Sequence, residues 1–174
     1  MGLSSSWLAV RGKPSEAVLQ ELGLAPTGER DELPAESPIA GVTLPGGWYA
    51  VVLDHDFFED ETIRDASSGC EVVAGFVEEH VMYSRAEQWR DGALIWRVVH
   101  DAQEGILHLE LEGDLPPEFE PIRKRLLDEQ KAAGGEAAGV DSMFDAPPDV
   151  ARLVTGFSYD LEPDDGFAVL KRSP

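Results

Sequence analysis

Residues 71–112 decide the fold, and their opening part, residues 71–83, reads EVVAGFVEEHVMY. β-Branched and aromatic residues dominate this opening, which predicts one long bent strand or two short strands around Glu78-Glu79. Residues 88–112 continue as QWRDGALIWRVVHDAQEGILHLELE. Asp91-Gly92 is typical of a tight turn between strands, and Gln103-Glu104-Gly105 predicts a second turn. Such short connections predict an antiparallel meander.

The last two strands of this meander differ in their patterns. Ile106 to Glu112 alternates strictly, which predicts a strand with one buried and one solvated face. In Ala93 to His100, Ile95 and Val99 are apolar although they lie on the face opposite Trp96, so we expect this strand to be central and covered on both sides. In the last strand the apolar positions are Leu107, Leu109 and Leu111, and the polar ones are His108, Glu110 and Glu112.

Outside the meander, further apolar runs predict more strands. Trp7 to Val10 is one, and Pro45-Gly46-Gly47 joins two others into a hairpin, Ile39 to Leu44 and Trp48 to Leu53. Phe167 to Leu170 predicts an edge strand near the end of the chain. Apolar residues at helical spacing predict helices after Ser15, after Pro116-Pro117 and after Pro147-Pro148.

These patterns predict the α+β class, with an antiparallel meander sheet of about five to seven strands. About three helices are expected to pack mainly on one face of it. With 174 residues, the chain is predicted to form a single domain, residues 1–174. Two connections interrupt the pattern: an acidic, proline-rich surface loop at about 25–38, and a flexible loop rich in alanine and glycine at about 132–146.

The charge balance excludes several classes of partner. Lys and Arg together number 14 and Asp and Glu 34, which gives a formal net charge of −20. Binding of phosphate requires an accumulation of cationic side chains, so neither a nucleic acid nor an anionic membrane is expected as a partner. The single cysteine, Cys70, excludes an internal disulfide and suits the reducing cytoplasm. Ten arginines against four lysines are typical of a GC-rich bacterial gene.

The acidic residues predict a surface for a basic protein. Seven acids and no Lys or Arg lie between Arg97 and Arg123, and a second acidic stretch, residues 54–61, follows a predicted strand. Such a surface attracts a basic partner and speeds its association. We therefore expect a small protein-binding module, of the kind that neutralises a basic toxin or nuclease domain as an immunity protein does. The residues expected at this surface are Asp54, Asp56, Glu59, Asp60, Glu61, His108, Glu110, Glu112 and Asp114.

The local motifs of known enzyme classes are missing, so no catalytic residue or cofactor is assigned. Two alternatives to a protein-binding module stay open. The first is an enzyme with a dispersed His and carboxylate site that depends on a divalent metal. The second is a housekeeping domain whose charge serves solubility or salt tolerance. His100 is expected to cap an apolar stripe by a hydrogen bond, Cys70 to be a buried structural thiol, and the four tryptophans to lie mostly in the core. The candidate metal ligands are Asp54, His55, Asp56 and His108.

Overall fold

A computed structural model describes residues 2–34 and 36–174, within which nine antiparallel strands form one sheet. The strands are β1 (Ser4–Arg11), β2 (Leu24–Asp31), β3 (Ile39–Thr43), β4 (Trp48–Asp54), β5 (Glu71–Glu78), β6 (Tyr83–Arg90), β7 (Ala93–Asp101), β8 (Glu110–Gly113) and β9 (Phe167–Arg172). The helices are α1 (Ser15–Glu21), α2 (Asp60–Ala66), α3 (Phe119–Ala132) and α4 (Ala146–Thr155). Two short 3-10 helices cover Gly135–Ala137 and Ser142–Asp145.

The sheet order is β2-β9-β3-β4-β1-β5-β6-β7-β8, which places β1 at the centre. From β5 to β8 the strands follow one another in space as they do in the chain, as the predicted meander requires. At the other end, β9 enters between β2 and β3 and pairs with both. The antiparallel α+β class is therefore confirmed.

The central strand is buried on both faces. Trp7, Leu8, Ala9 and Val10 are each at most 1% exposed. Alternate side chains of a strand point to opposite faces, so Trp7 and Ala9 join the apolar core beneath α3 and α4, whereas Leu8 and Val10 join a second core beneath α1 and α2. The expectation that the helices lie mainly on one face is therefore wrong, because a strand that is apolar at every position needs cover on both sides.

The strongest turn signals were interpreted correctly. The hairpin β3–β4 forms around Pro45-Gly46-Gly47, where Leu44 donates a backbone hydrogen bond to the Trp48 carbonyl. Asp91 and Gly92 adopt positive φ angles of 49° and 76°, as the tight turn between β6 and β7 requires. The ambiguous stretch 71–83 is one strand, β5, followed by a turn at residues 79–82 in which Met82 takes a φ of 52°, and only Tyr83 belongs to the next strand, β6.

Four expectations about the remaining elements are wrong. The sheet has nine strands instead of five to seven, and α2 is a fourth helix. Residues 25–31 of the predicted surface loop 25–38 belong to the edge strand β2, which has a bulge between Pro26 and Arg30, while Ala35 lies outside the described residues. A polar segment can serve as an edge strand because its partner, β9, supplies the backbone hydrogen bonds. For the same reason β9 itself is internal, not an edge.

The end of the meander also departs from its pattern. β8 contains only residues 110–113, so His108 lies in the turn region before it, and Leu107 and Leu111 are more than 40% exposed. α4 packs on β5, β6 and β7, but no described helix packs closely on β8, so the alternating pattern of this strand does not lead to burial. β7 is not covered on both sides either: Trp96, Val98 and His100 are buried, whereas the face that carries Arg97 and Val99 is only half-buried.

Several single residues lie where the sequence placed them. The Cys70 thiol is buried and donates to the Ala66 carbonyl, and burial raises its pKa, as expected for a structural thiol. Three tryptophans are buried in the core, and Trp89 is half-buried. In the predicted flexible loop 132–146, Met143 and Phe144 are buried, so its second half packs on the core beside α4. None of the described helices is long and apolar enough to cross a bilayer.

Gly75 tests the tight packing around β1. The indole of Trp7 lies directly over Gly75, and a Cβ there would overlap the ring. The rigid indole also packs on Phe157, with ring centroids 5.4 Å apart, so it cannot yield. We expect Gly75→Ala to lower the free energy of unfolding by about 2–3 kcal/mol in chemical denaturation. Gly139→Ala, whose added Cβ meets no atom within 4 Å, serves as the control and should change it little; equal stability of the two variants would contradict this packing.

Candidate functional site

A cleft opens on the α2 side of the sheet, where β6, β7 and the turn before β8 continue beyond that helix. Its volume is about 330 Å³. The acidic cleft, as we name it, is lined by four carboxylates and two guanidinium groups, together with Tyr83, Val99 and His108. The charged residues are Asp60, Asp101, Glu104, Glu110, Arg85 and Arg97.

Glu87, a buried carboxylate, holds the two arginines. Its side chain has no exposed surface, and its Oε2 accepts from Arg97 Nε at 2.6 Å and lies 3.9 Å from Arg85 Nε. Arg97 also donates to Glu112 at 3.4 Å, and Arg85 donates to Asp60 at 3.1 Å. Burial alone would lower the pKa of Arg97, but its bond to Glu87 outweighs this and raises it. Both guanidinium groups are therefore already neutralised by carboxylates of the protein.

The remaining acids of the cleft have no such compensation. Within the described residues, no Lys or Arg nitrogen lies within 4.0 Å of Asp101, Glu104 or Glu110. Among the described residues, the Asp101 carboxylate accepts a hydrogen bond from the backbone N–H of Gln103 alone, and the Glu110 carboxylate contacts the His108 ring alone, at 3.2 Å. This end of the cleft consequently carries unpaired negative charge, in a protein whose net charge is already −20.

Two histidines brace the same end of the cleft. The backbone N–H of Asp101 donates to His108 Nδ1, so the ring carries its proton on Nε2, which faces Glu110. The His108 carbonyl accepts from His100 Nδ1 at 2.7 Å, and His100 Nε2 donates to Asp141 Oδ2 at 2.7 Å. His100 thus caps the buried stripe of β7 by hydrogen bonds, as its position in the sequence predicted.

The surroundings of the buried His100 favour its protonated form. Burial alone would lower its pKa, but the hydrogen bonds to Asp141 and to the His108 carbonyl outweigh this and raise the pKa. Both ring nitrogens face acceptors, which suits a ring that carries a proton on each. The imidazolium ties β7 to the 3-10 helix at residues 142–145, which Asp141 caps through the Met143 and Phe144 N–H groups. It thereby positions the turn that carries His108.

Asp141→Asn tests this charge. Asparagine keeps an oxygen for the cap but removes the counter-charge, which should cost roughly 3 kcal/mol where the histidine is protonated. Because the folded pKa of His100 is raised, its contribution is complete below the unfolded pKa of about 6.5 and is lost as the pH rises through the folded pKa. Urea unfolding should therefore show a large deficit at pH 5.5 that shrinks by pH 9. Glu110→Gln, at an exposed pair, is the control; a deficit independent of pH would contradict the assignment.

The structure divides the sequence-predicted residues into two groups. Asp60, His108 and Glu110 line the acidic cleft, and Glu112 contacts its wall through Arg97. The others lie outside the cleft. Asp56 and Glu59 line a separate pocket beside Arg172, and Glu61 forms an ion pair with Arg64. Asp54 Oδ1 lies 3.9 Å from His55 Nε2, and Asp114 follows β8. In the ranges that the structure covers, no three His, Cys, Asp or Glu side chains stand together as metal ligands.

Arg85, Glu87 and Arg97 were missed at the sequence level. Their signal is weak but present: Arg85 and Glu87 are two apart and share a face of β6, and Arg97 lies between the apolar residues Ile95 and Val99. A charged residue at the centre of an apolar strand indicates a polar partner on the neighbouring strand. Only the register, which places Glu87 opposite Arg97, identifies that partner.

An apolar cavity of about 310 Å³ adjoins the acidic cleft. This phenylalanine cavity, as we name it, lies between α2 with its preceding loop and the strands β5 and β6. Tyr83 and Arg85 line both the cavity and the cleft, so the two share a wall. The remaining side chains that enclose it are mostly apolar: Phe57, Phe58, Ile63, Ala74 and Phe76.

A third cavity lies on the opposite side of the sheet, at the start of α4, with a volume of about 410 Å³. Asp145 precedes Ala146-Pro147-Pro148, and the two prolines lack the N–H groups that a capping carboxylate would bind. Burial, with the neighbouring charge of Asp149, raises the pKa of Asp145 to about 6. Burial and the charge of Asp145 raise the pKa of Tyr159, in the same cavity, to about 12.

Comparison with known proteins does not assign the chain to a family. No family model matches the chain, and no curated protein or solved structure matches it either.

Proposed function

We propose that this protein acts by binding a basic protein partner at the acidic cleft, as a neutraliser of a toxin or nuclease domain does. The observation that carries the proposal is the set of uncompensated carboxylates at one end of the cleft, Asp101, Glu104 and Glu110. Lys and Arg side chains of a partner would find acceptors there that the protein's own arginines do not occupy.

The arginines of the cleft support the same function. Arg85 and Arg97 lie beside Glu87 and bind Asp60 at 3.1 Å and Glu112 at 3.4 Å on the rim. The side chains of Asp60, Glu110 and Glu112 are each more than 60% exposed, so a partner can reach them. Because each of the three already has a partner within the protein, its side chain loses less entropy on binding, which favours specific recognition over diffuse attraction.

The test is a pull-down from the source organism with matched charge variants of the bait. Glu104→Lys with Glu110→Lys reverses two unpaired carboxylates of the cleft. We expect this variant to lose a stoichiometric basic partner that wild type retains in 0.3 M salt, or to bind it at least about tenfold more weakly. Isothermal calorimetry with the purified partner measures the change.

Glu118→Lys with Glu136→Lys is the control, because it changes the net charge equally but lies beside the two ends of α3, over the other face of the sheet. We expect this variant to bind like wild type. If both double variants weaken partner binding equally, the effect comes from the net charge of the protein, which would favour the housekeeping alternative. Retention of the partner by the cleft variant would contradict the proposed site.

The second candidate function is an enzyme with a dispersed site, and the Asp145 cavity favours it. A carboxyl group with a pKa of about 6 can both accept and donate a proton near neutral pH. Tyr159 stays protonated there and can donate a hydrogen bond to a substrate. Asp149 accepts from both arginines of the cavity, Arg125 at 2.5 Å and Arg152 at 3.2 Å, whereas no Lys or Arg nitrogen of the described residues lies within 4.0 Å of Asp145.

Asp145→Asn tests this candidate in two ways. The raised pKa means that the folded state holds the proton more tightly, so wild type should lose stability as the pH rises from about 4 to 6. The variant should lack this loss, and its free energy of unfolding should exceed that of wild type by about 1–3 kcal/mol at pH 7.5.

In thermal-shift assays, small amines and alcohols that fit the cavity should raise the Tm of wild type and not of the Asp145→Asn variant. If none of these compounds changes the Tm of either protein, the proposed enzymatic function is contradicted.

A further inference from the structure

We propose that the phenylalanine cavity receives one apolar side chain of the basic partner, whose neighbouring Lys or Arg binds the acidic cleft. This inference rests on the proposed function, because it names the part of the partner that the same face recognises. It predicts a partner segment in which an aromatic or large aliphatic residue stands within a few residues of a cationic pair.

The cavity has the size and chemistry for such a side chain. Its volume of about 310 Å³ exceeds the roughly 150 Å³ in which an apolar cavity binds benzene. Phe58 and Ile63 from the α2 side, and Phe76 from β5, present apolar surface to it, and both Phe58 and Ile63 are themselves buried. An apolar side chain that enters would therefore leave water for an apolar environment.

Charge complementarity selects a cationic neighbour for that side chain. Arg85 stands at the wall shared with the acidic cleft, but Asp60 and Glu87 already compensate its guanidinium. A ligand carboxylate would have to displace them and would face the unpaired Asp101 and Glu110 beyond. The combination of an apolar group and a cation suits this pair of sites, whereas that of an apolar group and an anion does not.

Phe57 marks the cavity as a surface for a partner. Its side chain is 57% exposed, the largest exposure among the large apolar residues of the described chain, although it borders an apolar cavity. The Asp56 carboxylate accepts the Phe57 backbone N–H at 2.9 Å and fixes the loop there. An exposed aromatic ring beside a pocket is a typical anchor of protein interfaces.

Peptide titration of the full-length ¹⁵N-labelled protein tests the inference. The probes are two series of acetylated, amidated peptides that carry Lys-Arg, separated by zero to three glycines from either Phe or Ala. We expect the best Phe peptide to bind about tenfold more tightly than its Ala counterpart, the effect of burying one apolar side chain. Only the Phe series should shift the backbone amides of Ala74 and Phe76.

Two variants and a control locate the effect. Ala74→Leu fills the cavity from β5 and should abolish the difference between the Phe and Ala peptides. Phe57→Ala removes the exposed wall and should reduce the difference without a risk to folding. Leu153→Ala removes another exposed apolar side chain, from α4 on the other side of the sheet, and should leave the difference unchanged.

The possible outcomes separate this inference from the proposed function. Equal binding of both series, with shifts only at Glu104 and Glu110, would overturn the cavity inference and leave the acidic cleft as the binding site. Absence of any shift at millimolar peptide would overturn the inference, while the pull-down decides the proposed function. A Phe effect that survives both Ala74→Leu and Phe57→Ala would place the apolar contact elsewhere and overturn the inference as well.

Discussion

The two-sided burial of β1 is the constraint on which the rest of the structure depends. Trp7 and Leu8 are adjacent in sequence but lie in separate apolar cores, so the strand cannot leave either face to solvent. Strands must flank it, and helices must cover both sides, α3 and α4 on one and α1 and α2 on the other. Gly75 completes this arrangement because the indole of Trp7 occupies the space that any side chain there would need.

The cover is complete at the centre of the sheet and incomplete at the meander end, and this asymmetry creates the candidate site. α4 packs on β5, β6 and β7, whereas α2, with its seven residues, packs on β5. The α2 face of β6 and β7 therefore carries charged residues beside Tyr83 and Val99. Glu87 Oε2 binds Arg97 there and lies near Arg85, and Asp101, Glu104 and Glu110, which have no Lys or Arg of the described chain within 4.0 Å, line the cleft. The phenylalanine cavity lies where the apolar cover of α2 meets this polar surface.

Local chemistry explains which expectations were confirmed. The turns at residues 45–47 and 91–92 were predictable because only a few residue types tolerate their backbone angles, so the signal needs no tertiary context. The strand β2 was not predictable, because its polar sequence acquires its conformation from β9, which lies more than 130 residues later in the chain. At the candidate site, His108 and Glu110 were found from their alternation, but Glu87 was not, since its partner Arg97 is identified only by the register of β6 and β7.

The sequence by itself determined the α+β class, the meander, the main turns and the large negative charge, because these follow from local residue patterns and from composition. The tertiary structure decided which carboxylates come together and which of the described ones have an arginine beside them. Asp60, which binds Arg85, and Asp101, which has no such partner in the described chain, are 41 positions apart but line one cleft, while Asp56 and Glu59 turn to another pocket. Whether a charge is compensated depends on atoms within about 4 Å, and only the folded chain brings those atoms together.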